Sequence, residues 1–129
     1  MIKIGIIGSR RRNKHEDFVT LQGKVMQFVE EYGKDNVTFV SGGCPKGGDR
    51  FAEILAKQLE IPIVIHYPDK SKLEANTRWA YAKICYARNT LIAQDADILV
   101  ACVASDRKGG TEDTIKKYLS YDKNNLILM

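Results

Sequence analysis

Residues 37–60 read VTFVSGGCPKGGDRFAEILAKQLE. A near-continuous apolar run, Val37 to Val40, is followed by a loop containing Gly42, Gly43, Gly47 and Gly48, and then by Phe51, Ile54, Leu55 and Leu59 at helical spacing. Short apolar runs of this kind mark strands covered on both faces, and the 3.6-residue recurrence that follows predicts an amphipathic helix. The segment is a strand–loop–helix unit, with its most permissive residues where the strand ends.

The unit recurs. Apolar runs at Ile2–Ile7, Ile61–Ile65, Ile98–Val103 and Leu126–Leu128 predict four further strands. Helical spacing relates Phe18, Leu21, Val25, Phe28, Val29 and Tyr32, and later Trp79, Ala82, Ile84, Tyr86, Ala87, Leu91 and Ile92. A last helix is expected over Thr111–Leu119, with Ile115, Tyr118 and Leu119 as its apolar face. Trp79 is expected in the core, where aromatic residues at helical spacing usually pack. His66–Asn76 is expected to be a loop. Alternating strands and helices imply right-handed crossovers. The expected fold is α/β, a Rossmann-like three-layer sandwich around a mainly parallel five-stranded sheet. With 129 residues, the expectation is one domain spanning positions 1–129.

Composition narrows the class without naming a function. Hydrophobic residues at 44% and charged residues at 28% fit a globular chain and argue against disorder. The net charge of +4 suits an anionic ligand, but the basic residues are dispersed rather than gathered into a stripe. Only Arg10, Arg11 and Arg12 cluster, and a solvated loop explains them as well as a ligand does. Cys44, Cys85 and Cys102 are odd in number and lack histidines at zinc-ligand spacing, so no metal or disulfide site is expected and a reducing cytoplasm is. No signal-peptide order or membrane-length apolar segment is present, so no membrane partner is expected.

Three expected strands end in unusual sequence: the first in Gly8, Ser9 and Arg10, the second in Ser41, Gly42 and Gly43, and the fourth in SDRKGGTED at residues 105–113. Two glycine pairs, Gly47–Gly48 and Gly109–Gly110, stand directly before helices. A helix start offers unpaired N–H groups and a positive dipole end, and glycine lets an anion approach closely. The same pairs also suit tight turns capped by Asp49 or Thr111. In an open parallel sheet, ligands bind at the carboxyl ends where strand order reverses. Order 3-2-1-4-5 brings the three loops together and is therefore the expected order.

These motifs resemble the SLOG superfamily, near its small YspA/YpsA-related members: GSR after the first strand, SGG..KGGD..A after the second, ARN..IA..AD.LVA across the third helix and fourth strand, then KGGTEDTI. The resemblance implies a nucleotide-binding or nucleotide-sensing module. Gly8, Ser9, Arg10, Ser41, Gly42, Gly43, Gly48 and Asp49 would then line the cleft, Arg88 and Asn89 would join them, and Gly109, Gly110 and Thr111 would hold a phosphate. No cofactor is evident, and Mg²⁺ is expected only with a phosphate ligand, held in part by Asp49. Related domains often pair through helices, although no interface is legible here.

The Lonely Guy branch of that superfamily cleaves N-glycosidic bonds of nucleoside monophosphates with the motif PGGxGTxxE. RKGGTEDT at residues 107–114 lacks the proline and has no glutamate at the matching place. Asp113, Glu112 and Arg88 are the catalytic candidates this alternative offers, while first-turn acidic residues also simply favour a helix dipole. His15, His66 and Cys44 carry little expectation of catalysis. A third alternative, single-stranded nucleic-acid binding, comes from resemblance to DNA-processing A proteins. It is the less expected, because no dense basic and aromatic face is present.

Overall fold

The computed structural model describes residues 1–129. Strands β1 (Ile2–Gly8), β2 (Val37–Ser41), β3 (Ile63–Ile65), β4 (Ile98–Cys102) and β5 (Leu126–Leu128) alternate with helices α1 (His15–Tyr32), α2 (Gly48–Leu59), α3 (Arg78–Asp95) and α4 (Gly110–Ser120). The sheet order is β3-β2-β1-β4-β5, as the clustering of the loops required. Every pairing is parallel, not merely most of them. No helix is long and apolar enough to cross a membrane.

Strand alternation divides the core in two. Ile4 and Ile6 of β1, Val37 and Phe39 of β2, and Ile98 and Val100 of β4 face the layer containing Leu21, Val25, Phe51 and Leu55 of α1 and α2. Ile7, Val40, Leu99 and Ala101 face Ile92 and Ala93 of α3 and Ile115 and Tyr118 of α4. The buried Tyr118 hydroxyl donates to the Asp97 carbonyl at 2.7 Å, so its polar end is satisfied.

Several expectations are corrected. β3 is shorter than Ile61–Ile65 because Pro62 has no N–H to donate, although its carbonyl still accepts from Phe39 N at 2.9 Å. Leu119 is 47% exposed, so Ile115 and Tyr118 carry the buried face of α4 with Thr114. Trp79 is 88% exposed and is no core residue. The buried residues of α3 are Ile84, Asn89, Ile92 and Ala93, so nothing is buried before Ile84, the seventh residue of the helix. An 18-residue helix extends about 27 Å, whereas the seven-residue β1 and five-residue β2 on which it packs extend about 23 Å and about 17 Å, and the longer element overhangs.

One close approach sets the geometry of the site. Gly48 begins α2 against β1, where a methyl group would overlap the backbone of Ile7 and Gly8. Gly23, inside α1, has open space around its Cα. Gly48→Ala should therefore destabilise the protein by about 2 kcal/mol or more, as overpacking against backbone does. Gly23→Ala should stabilise it by about 0.5–1 kcal/mol through helix propensity and a less flexible unfolded chain. Urea unfolding of the two variants beside the parent checks both signs.

Candidate functional site

At the carboxyl ends of β1 and β4, where strand order reverses, lies a cleft of about 240 Å³. One wall is the turn after β1, with Gly8, Ser9, Arg10 and Arg11. The opposite wall is Lys108 and the start of α4, with Gly109, Gly110, Thr111 and Thr114. Arg88, Asn89 and Ile92 of α3 close one side, and Cys44 and Asp49 reach in from the loop and helix after β2.

The three consecutive arginines have separate tasks. Arg12 donates to Asp17 Oδ1 at 3.0 Å and to the carbonyls of Val103 and Met129 at 3.1 and 2.6 Å, joining α1 to the ends of β4 and β5. Arg11 makes a two-pronged pair with Asp106 at 2.8 and 2.7 Å and donates to Lys108 O at 3.1 Å. That clasp ties the two walls of the cleft together. Arg10 is exposed, lines the cleft and forms no salt bridge. Its charge is left for a ligand.

The two glycine pairs, alike in sequence, differ in surroundings. Gly47 (φ 74°) packs on the Ser9 carbonyl and Gly48 on β1, so the start of α2 is covered by protein. Gly109 (φ 118°) has nothing within 4 Å of where a Cβ would stand, and Gly110 has only the Asn89 amide at 3.9 Å. No side chain caps α4. Its first amides are consequently free to meet an anion.

Asn89 holds that helix start in place. Its Nδ2 donates to Gly110 O at 3.3 Å and to Asp113 Oδ2 at 3.1 Å, while its Oδ1 accepts from Arg88 Nε at 2.9 Å. Arg88 NH1 also donates to the Gly42 carbonyl, closing a chain from the β2 loop through α3 to α4. The buried Asn89 is thus a connector, and modest helix propensity at a mid-helix position was its sequence signal.

Asp49 is the sole carboxylate lining the cleft, and it is buried. Its Oδ2 accepts from Cys44 N at 3.1 Å, and its Oδ1 lies 3.1 Å from the Ser41 hydroxyl. That hydroxyl is 2.6 Å from the Ile6 carbonyl. One hydroxyl proton cannot serve two acceptors, whereas a proton on Asp49 satisfies both contacts. Burial pushes the Asp49 pKa up, against the opposing pull of the Cys44 amide, the Arg88 charge and the Ser41 hydroxyl. No group of three or more His, Cys, Asp or Glu side chains converges in the chain.

Other sequence-derived candidates lie elsewhere. Ser41 is buried beneath Asp49, Gly42 lies under Arg88, Gly43 under the Tyr67 ring, and Gly48 against β1; none of the four lines the cleft. Their smallness serves packing that holds Asp49 and Arg88 in position. Glu112 pairs with Arg107 at 2.8 Å and Asp113 with Lys117 at 2.9 Å, and neither lines the cleft. His66 pairs with Asp95 at 2.7 Å, and exposed His15 begins α1, both away from it. Arg11, Lys108 and Thr114 join the cleft without having been singled out for it. Thr114 was findable, since it stands one helical turn beyond Gly110.

No known family model, curated protein or solved structure matches the chain. The chemistry of the site is three guanidinium or ammonium groups besides the clasped Arg11, uncapped helix amides, and one buried carboxyl group whose pKa burial raises.

The raised pKa has a definite sign in stability. A carboxyl group whose folded pKa exceeds its unfolded value contributes most below the unfolded pKa, and that contribution is lost as pH rises through the folded one. Asp49→Asn retains the neutral shape without the proton. The parent should lose stability relative to Asp49→Asn as pH rises above the ordinary carboxylate range. Urea unfolding of both proteins at several pH values measures the difference, and a parent that gains on the variant as pH rises would contradict a raised Asp49 pKa.

Proposed function

We infer that the chain is a binding module for a phosphate-bearing small molecule of the nucleotide class. The observation that carries this reading is the start of α4: uncapped amides behind Gly109 and Gly110, with no side chain in front of them, facing an Arg10 that has no protein partner. Helix amides and an arginine fork are complementary to phosphate oxygens, and the amides are held in place by the helix before a ligand arrives. The resemblance of GSR and KGGTEDTI to SLOG nucleotide modules points the same way.

Binding is placed ahead of bond cleavage. N-glycosidic hydrolysis requires a carboxylate aimed at developing positive charge on the sugar. Asp113 and Glu112 are engaged by Lys117 and Arg107, and Asp49 is held where burial favours its neutral form.

Calorimetry with nucleoside mono-, di- and triphosphates, followed by mass spectrometry of the ligand, tests the reading. At least one should bind and be recovered intact; release of free base would move the protein to the hydrolases. Arg10→Ala should weaken that binding by about ten-fold or more, the loss expected for a charge-assisted hydrogen bond. Gly110→Ala should leave unfolding stability near the parent value, since its methyl group meets only the Asn89 amide at 3.9 Å, yet weaken binding by intruding on the anion's approach.

A further inference from the structure

The cleft does not stop at Arg10. Arg10 and Gly110 also line a second hollow of about 530 Å³, which runs along α3 and past Leu73. Its principal wall is one face of the helix: Arg78, Tyr81, Ala82, Cys85 and Tyr86, at positions i, i+3, i+4, i+7 and i+8. In an ordinary surface helix that stripe faces the core. Here no residue of the stripe is buried, and Tyr81 and Tyr86 are 47% and 49% exposed.

Arg88 and Asn89 already stand level with the cleft, so the ten residues back to Arg78 carry the helix about 15 Å beyond it. Two small residues, Ala82 and Cys85, lie between two tyrosines, so the face is a shallow trough with aromatic sides. At its far end Asn76 and Arg78 supply polar groups. The cleft alone, at about 240 Å³, is smaller than the roughly 300 Å³ at which small-molecule sites usually begin. Joined to the trough, it reaches that range.

We propose that the Tyr81–Tyr86 trough is the subsite for the planar heterocycle of the ligand, whose phosphate sits at the start of α4 and whose sugar crosses the Arg10–Gly110 junction. The proposal rests on the nucleotide reading above and extends it to a ligand class: a ring-bearing sugar phosphate rather than a sugar phosphate or free phosphate. Continuity of the trough with the anion cleft is what selects this occupant. A base stacks on tyrosine faces, small residues leave room for its plane, and Asn76 and Arg78 meet its edge.

Ribose 5-phosphate, adenosine 5′-monophosphate and guanosine 5′-monophosphate distinguish the subsites by calorimetry. At least one nucleotide should bind between about five-fold and about a hundred-fold more tightly than ribose 5-phosphate, the range that base stacking on an aromatic side chain supplies. Tyr81→Ala should remove most of that advantage while leaving ribose 5-phosphate affinity unchanged, and Tyr81→Phe should restore it. Tyr81 is half exposed, and a melting curve verifies that the alanine variant is folded. Equal affinity for all three ligands, or equal weakening of all three by Tyr81→Ala, overturns the subsite and leaves the phosphate reading standing. Failure of all three to bind overturns the subsite, and failure of the nucleoside di- and triphosphates with them overturns the phosphate reading as well. A dimer in sedimentation that Tyr81→Ala dissociates would assign the trough to a second copy of the chain and overturn the proposal.

Discussion

The handedness of parallel crossovers is the constraint on which the rest depends. Each strand feeds a helix that must return over the sheet with a right-handed turn. With β1 central, α1 and α2 build outward over one face through β2 and β3, and α3 crosses back over the other face to reach β4. The chain therefore parts between β1 and β4, and the loops leaving those two strands diverge to opposite sides. The divergence opens a cleft that side chains have not filled. What lines it is decided by two loops and by whatever α3 carries past them.

Most of the architecture was legible because it follows from burial. Strands covered on both faces must be apolar throughout, and Ile2–Ile7 or Ile98–Val103 have no other economical reading. The sheet order was legible only through the assumption that glycine-bearing loops gather in one place. Less legible was what covers an apolar helix face. The period that placed Trp79 in the core reports a stripe and says nothing about the length of the strands beneath it. β1 and β2 are too short to support all of α3, and its start emerges with aromatic residues uncovered.

The site was legible in outline and not in its division of labour. Gly47–Gly48 and Gly109–Gly110 are the same dipeptide before a helix. One is needed because a strand's backbone occupies the space a side chain would take; at the other the space is open. Adjacent letters gave no means of separating Arg10 from Arg11 and Arg12, whose partners Asp106 and Met129 lie at the other end of the chain. The buried pair of Ser41 and Asp49 is likewise a product of topology: a serine ending β2 meets a carboxyl group from the first turn of α2, beneath a β1 carbonyl.

The clasp between Arg11 and Asp106 gives ionic strength two routes into the site. The pair is solvent-exposed, so dissolved salt screens it, and its individual strength is small. It nevertheless spans the two loops that form opposite walls of the cleft. Raising the salt concentration would weaken the attraction of the cleft for an anion and, at the same time, loosen the spacing of its walls. The salt dependence of binding would then be steeper than the number of cations touching the ligand implies, because part of the slope records the protein's own geometry.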